Sequence, residues 1–188
     1  DINYSSGASM YVKREVLSRV GLFEENFFMY HDDIELCFKA CQAGYRIVIA
    51  PKSIMYHKHE FGRSIRQFFY MERNRFLVLL YFYKLPTLIL IAPVFLFMEV
   101  GQILFAIKNK LFITRLKVYS YFFTPKNLIL AIRRRKQIQK SRIISDKKFI
   151  KDFFCRIEFQ EVDNPLLRYI ANPVMCAYWK VAKILIFW

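Results

Sequence analysis

Apolar positions fall into three regimes along the chain. Through residues 1–75 they are mixed with polar ones at helical or strand spacing, from 76 to 107 they run almost unbroken, and beyond 108 they are interleaved with basic residues. In the first regime, residues 13–20 predict a short helix stopped by Gly21. Residues 32–43 predict a stronger one, because Ile34, Cys37, Phe38 and Cys41 recur at i, i+3, i+4 and i+7 and Gly44 supplies the stop. Asp32, Asp33 and Glu35 fill its first turn, where the helix dipole favours negative charge. Residues 45–50 are rich in β-branched side chains and end at Pro51, which predicts a strand; 54–57 predict a second short one, with Tyr56 and His57 on opposite faces.

The second regime is long enough for a membrane. Between Leu85 and Ile107 the strongly polar residues are Glu99 and Gln102, and a bilayer needs about 20 apolar residues in a helix. Pro86 and Pro93 interrupt the run, and Glu99 would cost about 2.5–3.5 kcal/mol at a bilayer centre. A crossing helix and shorter helices lying in the interface both remain open.

Composition adds charge to this picture. The 188 residues carry 30 Lys+Arg against 15 Asp+Glu, a net of +15, with 55% hydrophobic and 18% aromatic residues, which excludes a disordered chain. The excess is local: residues 108–151 hold 14 basic residues and one acid, Asp146. Arg133, Arg134, Arg135, Lys136, Lys140 and Arg142 flank Ile129, Ile132, Ile138 and Ile143, a basic amphipathic pattern beside an apolar segment. That pattern suits an anionic membrane surface at the cytoplasmic face; a solvated basic helix is the plainer alternative. A nucleic-acid partner is not expected, since no binding module accompanies the charge. The chain therefore divides into 1–75, a soluble α/β piece; 76–107, an apolar membrane-associated segment; and 108–188, a basic, mainly helical tail.

Cys37, Cys41, Cys155 and Cys176 show no zinc spacing and are expected as small buried hydrophobes in a reducing compartment. Candidate chemistry concentrates in 27–36, where Asp32 and Asp33 stand together at a helix start and His57 follows at a strand end. Adjacent carboxylates can act as a general base or hold a metal, though helical spacing turns the two about 100° apart. An acidic first turn is also an ordinary capping device, and a histidine at a strand end an ordinary surface residue.

The order of these pieces resembles the C-terminal half of inverting family-2 glycosyltransferases of the GT-A fold, particularly the rhamnosyltransferase-like branch. The matching residues are Ser6-Gly7-Ala8, the stretch Val20 to Phe28, Asp32-Asp33-Ile34-Glu35-Leu36, Gly44-Tyr45-Arg46-Ile47, Pro51, His57 and Arg73-Asn74-Arg75. The resemblance covers 1–75 well and loosens through the apolar segment to the basic stretch. It implies the C-terminal half of a GT-A (Rossmann-like) α/β domain followed by membrane-associated helices and the basic tail. It implies Asp33 as the general base for the acceptor hydroxyl and Asp32 beside it, where the family more often has Glu. His57 would complete a divalent-metal site for Mg or Mn. Ser6, Gly7 and Ala8 would line the donor-sugar cleft, and Arg73 with Asn74 would bind substrate through the diphosphate. The partners implied are a nucleotide-sugar donor and a cell-surface glycan or lipid-linked acceptor.

Beyond Asp32, the sequence departs from the family in that neither the Rossmann-like nucleotide-binding half nor its closing metal motif is expected in it. No two aspartates stand two apart, so the Asp-x-Asp metal motif that ends the family's nucleotide-binding half has no counterpart. The expectation is a fragment or truncated gene, inactive alone. A non-catalytic membrane-associated remnant or scaffold is the alternative.

Overall fold

The structure, a computed structural model, describes residues 1–58, 64–157, 165 and 167–188. Its α-helices in chain order are α1 (Arg14–Val20), α2 (Asp32–Gln42), α3 (Ile65–Phe82), α4 (Leu85–Lys108), α5 (Phe112–Phe123), α6 (Pro125–Ser141), α7 (Asp146–Phe149) and α8 (Asn172–Leu185). Short 3₁₀ turns occupy Gly7–Ser9 and Glu25–Phe27.

The α/β expectation is overturned. Among the described residues there is no strand or sheet, only one antiparallel bridge between Ile2 and Ile47. The Ile2 amide donates to the Ile47 carbonyl at 2.9 Å, and beyond that point Val48 and Ile49 are exposed. Local β-propensity at 45–50 therefore does not make a strand, because a strand is stabilised by a ladder of partners and side-chain packing, which Val48 and Ile49 lack. The 54–57 segment likewise is exposed and makes no bridge.

The two predicted helices form, and their ends follow the glycines. Gly21, at φ 82°, donates its amide to Leu17. Gly44, at φ 89°, takes the left-handed turn after α2. α3 starts with a capping box: the Gln67 amide donates to Ser64 Oγ at 3.2 Å, and the Ser64 amide to Gln67 Oε1 at 2.6 Å.

α3 is the central helix. It packs on α5 and α6, and it touches α4 through Arg75 on Glu99 and Phe76 on Phe95. Phe27, Phe38, Leu77, Tyr81, Phe82, Phe149, Ile150 and Ile186 form the core. Phe38 meets Phe82 and Phe149 edge-on with centroids 5.5 and 4.9 Å away, a favoured aromatic geometry.

Much of the basic stretch closes the end of α3. Arg135 donates to the Leu80 and Tyr83 carbonyls, Gln139 to Tyr81 at 2.7 Å, and Gln42 to Phe82 at 2.6 Å. Arg142 reaches the Phe82 carbonyl at 3.3 Å and pairs with buried Asp146. A helix leaves its last four carbonyls without intrahelical donors, and cations suit that end of the dipole. Arg134 pairs with Glu24 at 2.5 Å. Arg133, Lys136 and Lys140 remain exposed.

Glu99, the acid of the apolar segment, is buried in an ion cluster between α3, α4 and α5. Arg75 contacts Glu72 at 3.0 Å and Glu99 at 2.8 Å, and Arg115 pairs with both acids. Tyr119 donates to Glu99 Oε1 at 2.7 Å and accepts from Arg115 Nε at 3.0 Å. Two arginines thus balance two glutamates, as buried charge requires.

The cysteine expectation holds in half. Cys37 and Cys41 are buried and free, but Cys155 and Cys176 are joined in a disulfide. The latter pair comes together because the extended segment after α7 runs beside α8, where Trp179 Nε1 donates to the Phe153 carbonyl at 3.1 Å and Asn172 bonds both backbone groups of Ile157.

Candidate active site

The N-terminal strip and α2 share one register. Asn3, Ser5 and Gly7 alternate along the strip and meet Cys41, Cys37 and Asp33, which recur every fourth residue on α2. The contacts are Cys41 Sγ to the Asn3 carbonyl at 3.9 Å, the Ser5 amide to Cys37 Sγ at 3.4 Å, and the Gly7 amide to Asp33 Oδ2 at 3.0 Å. Two extended residues advance about 6.6 Å and four helical residues about 6 Å, so the periods match. Burial pushes the Cys37 thiol up and the Cys41 thiol to about 12, which keeps both protonated and apolar.

At the open end of this register stands Asp33. Its Oδ2 also accepts from the Tyr4 hydroxyl at 2.9 Å, and its Oδ1 from the Ile34 amide at 2.8 Å. Burial and then the Asp33 carboxylate push the Tyr4 phenol up to about 12, so its proton stays on oxygen, aimed at Asp33. A Cβ at Gly7 would stand 3.5 Å from Asp33 Cβ. Ser6 caps the turn through its Oγ, which accepts from Ala8 at 3.4 Å. The chain thus brings Ser6, Gly7 and Ala8 to Asp33 and leaves this carboxylate partly open to solvent.

Asp32 is the first residue of α2, half-buried, and turned away from Gly7 by the helical step. Glu35 lies on the opposite side, fully buried, paired with Lys39 at 3.0 Å and facing Arg134 at 3.6 Å. Burial holds its carboxyl above the usual range.

Arg73 and Asn74 hold the loop before α2. Asn74 Nδ2 donates to the carbonyls of Phe27, Met29 and Tyr30 at 2.8–2.9 Å, and its Oδ1 accepts from Arg73 at 2.8 and 3.0 Å. The buried Arg73 guanidinium donates to the Asn26 and Phe27 carbonyls and lies over Tyr70 and Tyr121 at 4.8 and 5.1 Å. Through this clamp Phe28, Tyr30 and His31 adopt positive φ values of 60°, 62° and 61°. Non-glycine residues enter that region at a cost, and the carbonyl bonds offset it here.

His31 was not among the sequence candidates. It precedes α2 in the left-handed conformation, its Nδ1 is buried with no hydrogen-bond partner, and burial holds the imidazole below its ordinary range. The signal available in the sequence was its place beside Asp32, which also suits a plain cap.

His57 lies on the exposed segment after α2. Among the described residues, no three His, Cys, Asp or Glu side chains gather in a group that could hold a metal ion. The ligand set that the Mg or Mn expectation requires is therefore not assembled by these residues, and the Asp33 oxygens already carry protein donors.

Comparison with known proteins bears on this site. Over 65 residues, 34% of the chain, it is 34% identical to the N-acetylglucosaminyl-diphospho-decaprenol L-rhamnosyltransferase of Mycobacterium tuberculosis, in two strains. That match covers 21% of the relative, so the chain spans about a fifth of the length of the curated proteins it matches. No solved structure matches. The family model for glycosyl transferase family group 2 matches residues 3–125, which include the strip, the Asp33 site, the Arg73–Asn74 clamp and the ion cluster. The chain belongs to glycosyl transferase family group 2.

Proposed function

We propose that the chain supplies the acceptor side of an inverting, rhamnosyl- or hexosyl-transferring enzyme that moves a sugar from a nucleotide-sugar donor to a lipid-linked or cell-surface glycan acceptor. The observation that carries the reading is the Asp33 carboxylate, fixed through Oδ2 by Tyr4 and Gly7 and still open to solvent. In a single displacement the acceptor hydroxyl attacks the anomeric carbon, its proton passes to Asp33, and the nucleoside diphosphate leaves with the bonding electrons.

In this reading Ser6–Ala8 shape the floor of the cleft beside the sugar. Arg73 and Asn74 position Asp33 through the 26–31 loop, since their polar atoms are committed to carbonyls. The relative that matches acts, by its name, on a lipid diphosphate, and that supports a lipid-linked acceptor and a membrane-associated enzyme at the cytoplasmic face. These 188 residues hold no Asp-x-Asp pair, and we infer that they do not transfer sugar unaided.

The test is sugar transfer by the full-length protein with and without Asp33→Asn. Loss of transfer at unchanged fold supports the reading. Full transfer by the variant removes Asp33 from the chemistry and favours the non-catalytic alternative.

A further inference from the structure

α4 has two faces. Thr87 is buried against Asp146 and Trp188, Glu99 against α3 and α5, and Ala106 is buried as well, whereas Leu85, Ile89, Leu96, Val100, Leu104 and Ile107 are exposed at steps of three, four or seven residues, one stripe along the whole helix. α8 lies beside it, with the Tyr178 hydroxyl bonded to the Leu90 carbonyl, and adds exposed Val174, Val181 and Ile184. A continuous apolar surface of this extent marks an interaction site. Exposed Lys108 and Lys110 stand at the α4–α5 turn, Lys117 on α5 and Lys180 on α8.

By length and composition α4 can cross a membrane, but its neighbours fix its orientation. α3 meets it near its middle, with Arg75 on Glu99 at 2.8 Å and Phe76 against Phe95 at 5.3 Å. One residue earlier, Asn74 holds the loop that carries His31, Asp32 and Asp33. The Arg75–Glu99 contact lies near the middle of α4, roughly 20 Å along a helix of about 36 Å. Were α4 upright in a hydrocarbon core about 30 Å thick, Glu99 and the Arg75, Glu72 and Arg115 side chains that pair with it from α3 and α5 would all sit at bilayer depth. The chain also returns to its starting end: α5 brings Arg115 back to Glu99, Arg135 reaches the end of α3, and the Lys84 amide bonds Asp146 at 2.9 Å.

We propose that the α4–α8 face docks in the plane of one leaflet of an anionic bilayer, with lysines on the headgroups, and that the chain does not cross. The occupant is lipid because the face is apolar along its full length and rimmed by cations, which matches acyl chains bordered by anionic phosphates. This deepens the glycosyl-transfer reading, since it lays the Asp33 cleft beside the surface where a lipid-linked acceptor would stand.

The experiment adds the full chain to preformed phosphatidylcholine vesicles with and without phosphatidylglycerol. Two added-cysteine reporters, Lys52→Cys and Lys108→Cys, are then labelled from outside with an impermeant maleimide and compared with the parent chain, whose Cys37 and Cys41 are buried and whose Cys155 and Cys176 are paired. The protein is expected to float with the phosphatidylglycerol vesicles and to label at both positions. Leu96→Asp with Leu104→Asp, both exposed in the fold, should cut flotation about tenfold or more while leaving the helical signal unchanged. Labelling at Lys52→Cys with protection of Lys108→Cys would show a crossing helix and overturn the proposal. Failure to float, flotation indifferent to phosphatidylglycerol, or a dimer that hides the face would also overturn it. No sugar transfer is read, so failure here leaves the Asp33 reading to its own test.

Discussion

Gly7 donates its amide to Asp33 Oδ2 at 3.0 Å across 26 residues of chain, and this bond is the last rung of a register that lays the N-terminal strip on α2. The candidate base is thus held by backbone as well as by Tyr4. In the full-length enzyme, Tyr4→Phe removes one of two donors to Oδ2 and should lower transfer by less than about tenfold, with Gly7 retaining the orientation. Gly7→Ala adds a Cβ at an ordinary contact distance from Asp33 and should be mild. Gly7→Pro deletes the donor and should cost more than either. Steady-state transfer rates on the three variants check this order.

The Asn74 side chain satisfies three carbonyls in a loop with three left-handed residues. Asn74→Ala should destabilise the fold by about 2–4 kcal/mol, because buried carbonyls lose their donor while the strain remains. Denaturant unfolding measures it. Asn74→Asp should be at least as harmful, since an acceptor would then face acceptors.

Glu99 sits in a cluster whose charges cancel only as a set. Glu99→Leu should cost about 3–5 kcal/mol by leaving Arg115 buried without one partner. Adding Arg115→Leu should recover much of that loss, because the Glu72–Arg75 pair remains balanced. Thermal unfolding of the single and double variants tests this.

His31 gives a pH dependence with a defined sign. Its folded imidazole is held below the ordinary value by burial, against the opposing fields of Asp33, Glu72 and Asp32 and with a further lowering from Arg75. The unfolded state therefore binds a proton first as pH falls, so stability declines from about pH 6.5 downward until the folded imidazole also titrates. His31→Asn, which keeps a residue tolerant of positive φ, should flatten this decline. Urea midpoints between neutral and mildly acidic pH measure the difference.

The helices of the first 45 residues were legible because their signals are local: a four-residue apolar step, acids at the N-terminus of α2, and glycines at φ 82° and 89°. The strands were not, because Ile47 finds only Ile2 and propensity cannot report a missing ladder. Family resemblance singles out Gly7 and Asp33 separately but not their contact, although the two periods that join the strip to α2 are present in the sequence. The sorting of the basic stretch was hidden for another reason. Arg134, Arg135 and Arg142 bind Glu24, helix carbonyls and Asp146, while Arg133, Lys136 and Lys140 remain at the surface. Adjacent residues of identical composition differ only in what lies opposite them in space. The same holds for Glu99, an isolated acid in an apolar run whose partners on α3 and α5 place it in a buried ion network.

The central claim is that Asp33 takes the acceptor proton in a family-2 glycosyl transfer. It is tested most directly by measuring sugar transfer from a panel of nucleotide sugars to a lipid-diphosphate acceptor, comparing the full-length protein with its Asp33→Asn variant. The account predicts transfer by the parent and a loss of about 10²–10⁴-fold in the variant with donor binding unchanged. Equal transfer by the two proteins would contradict it.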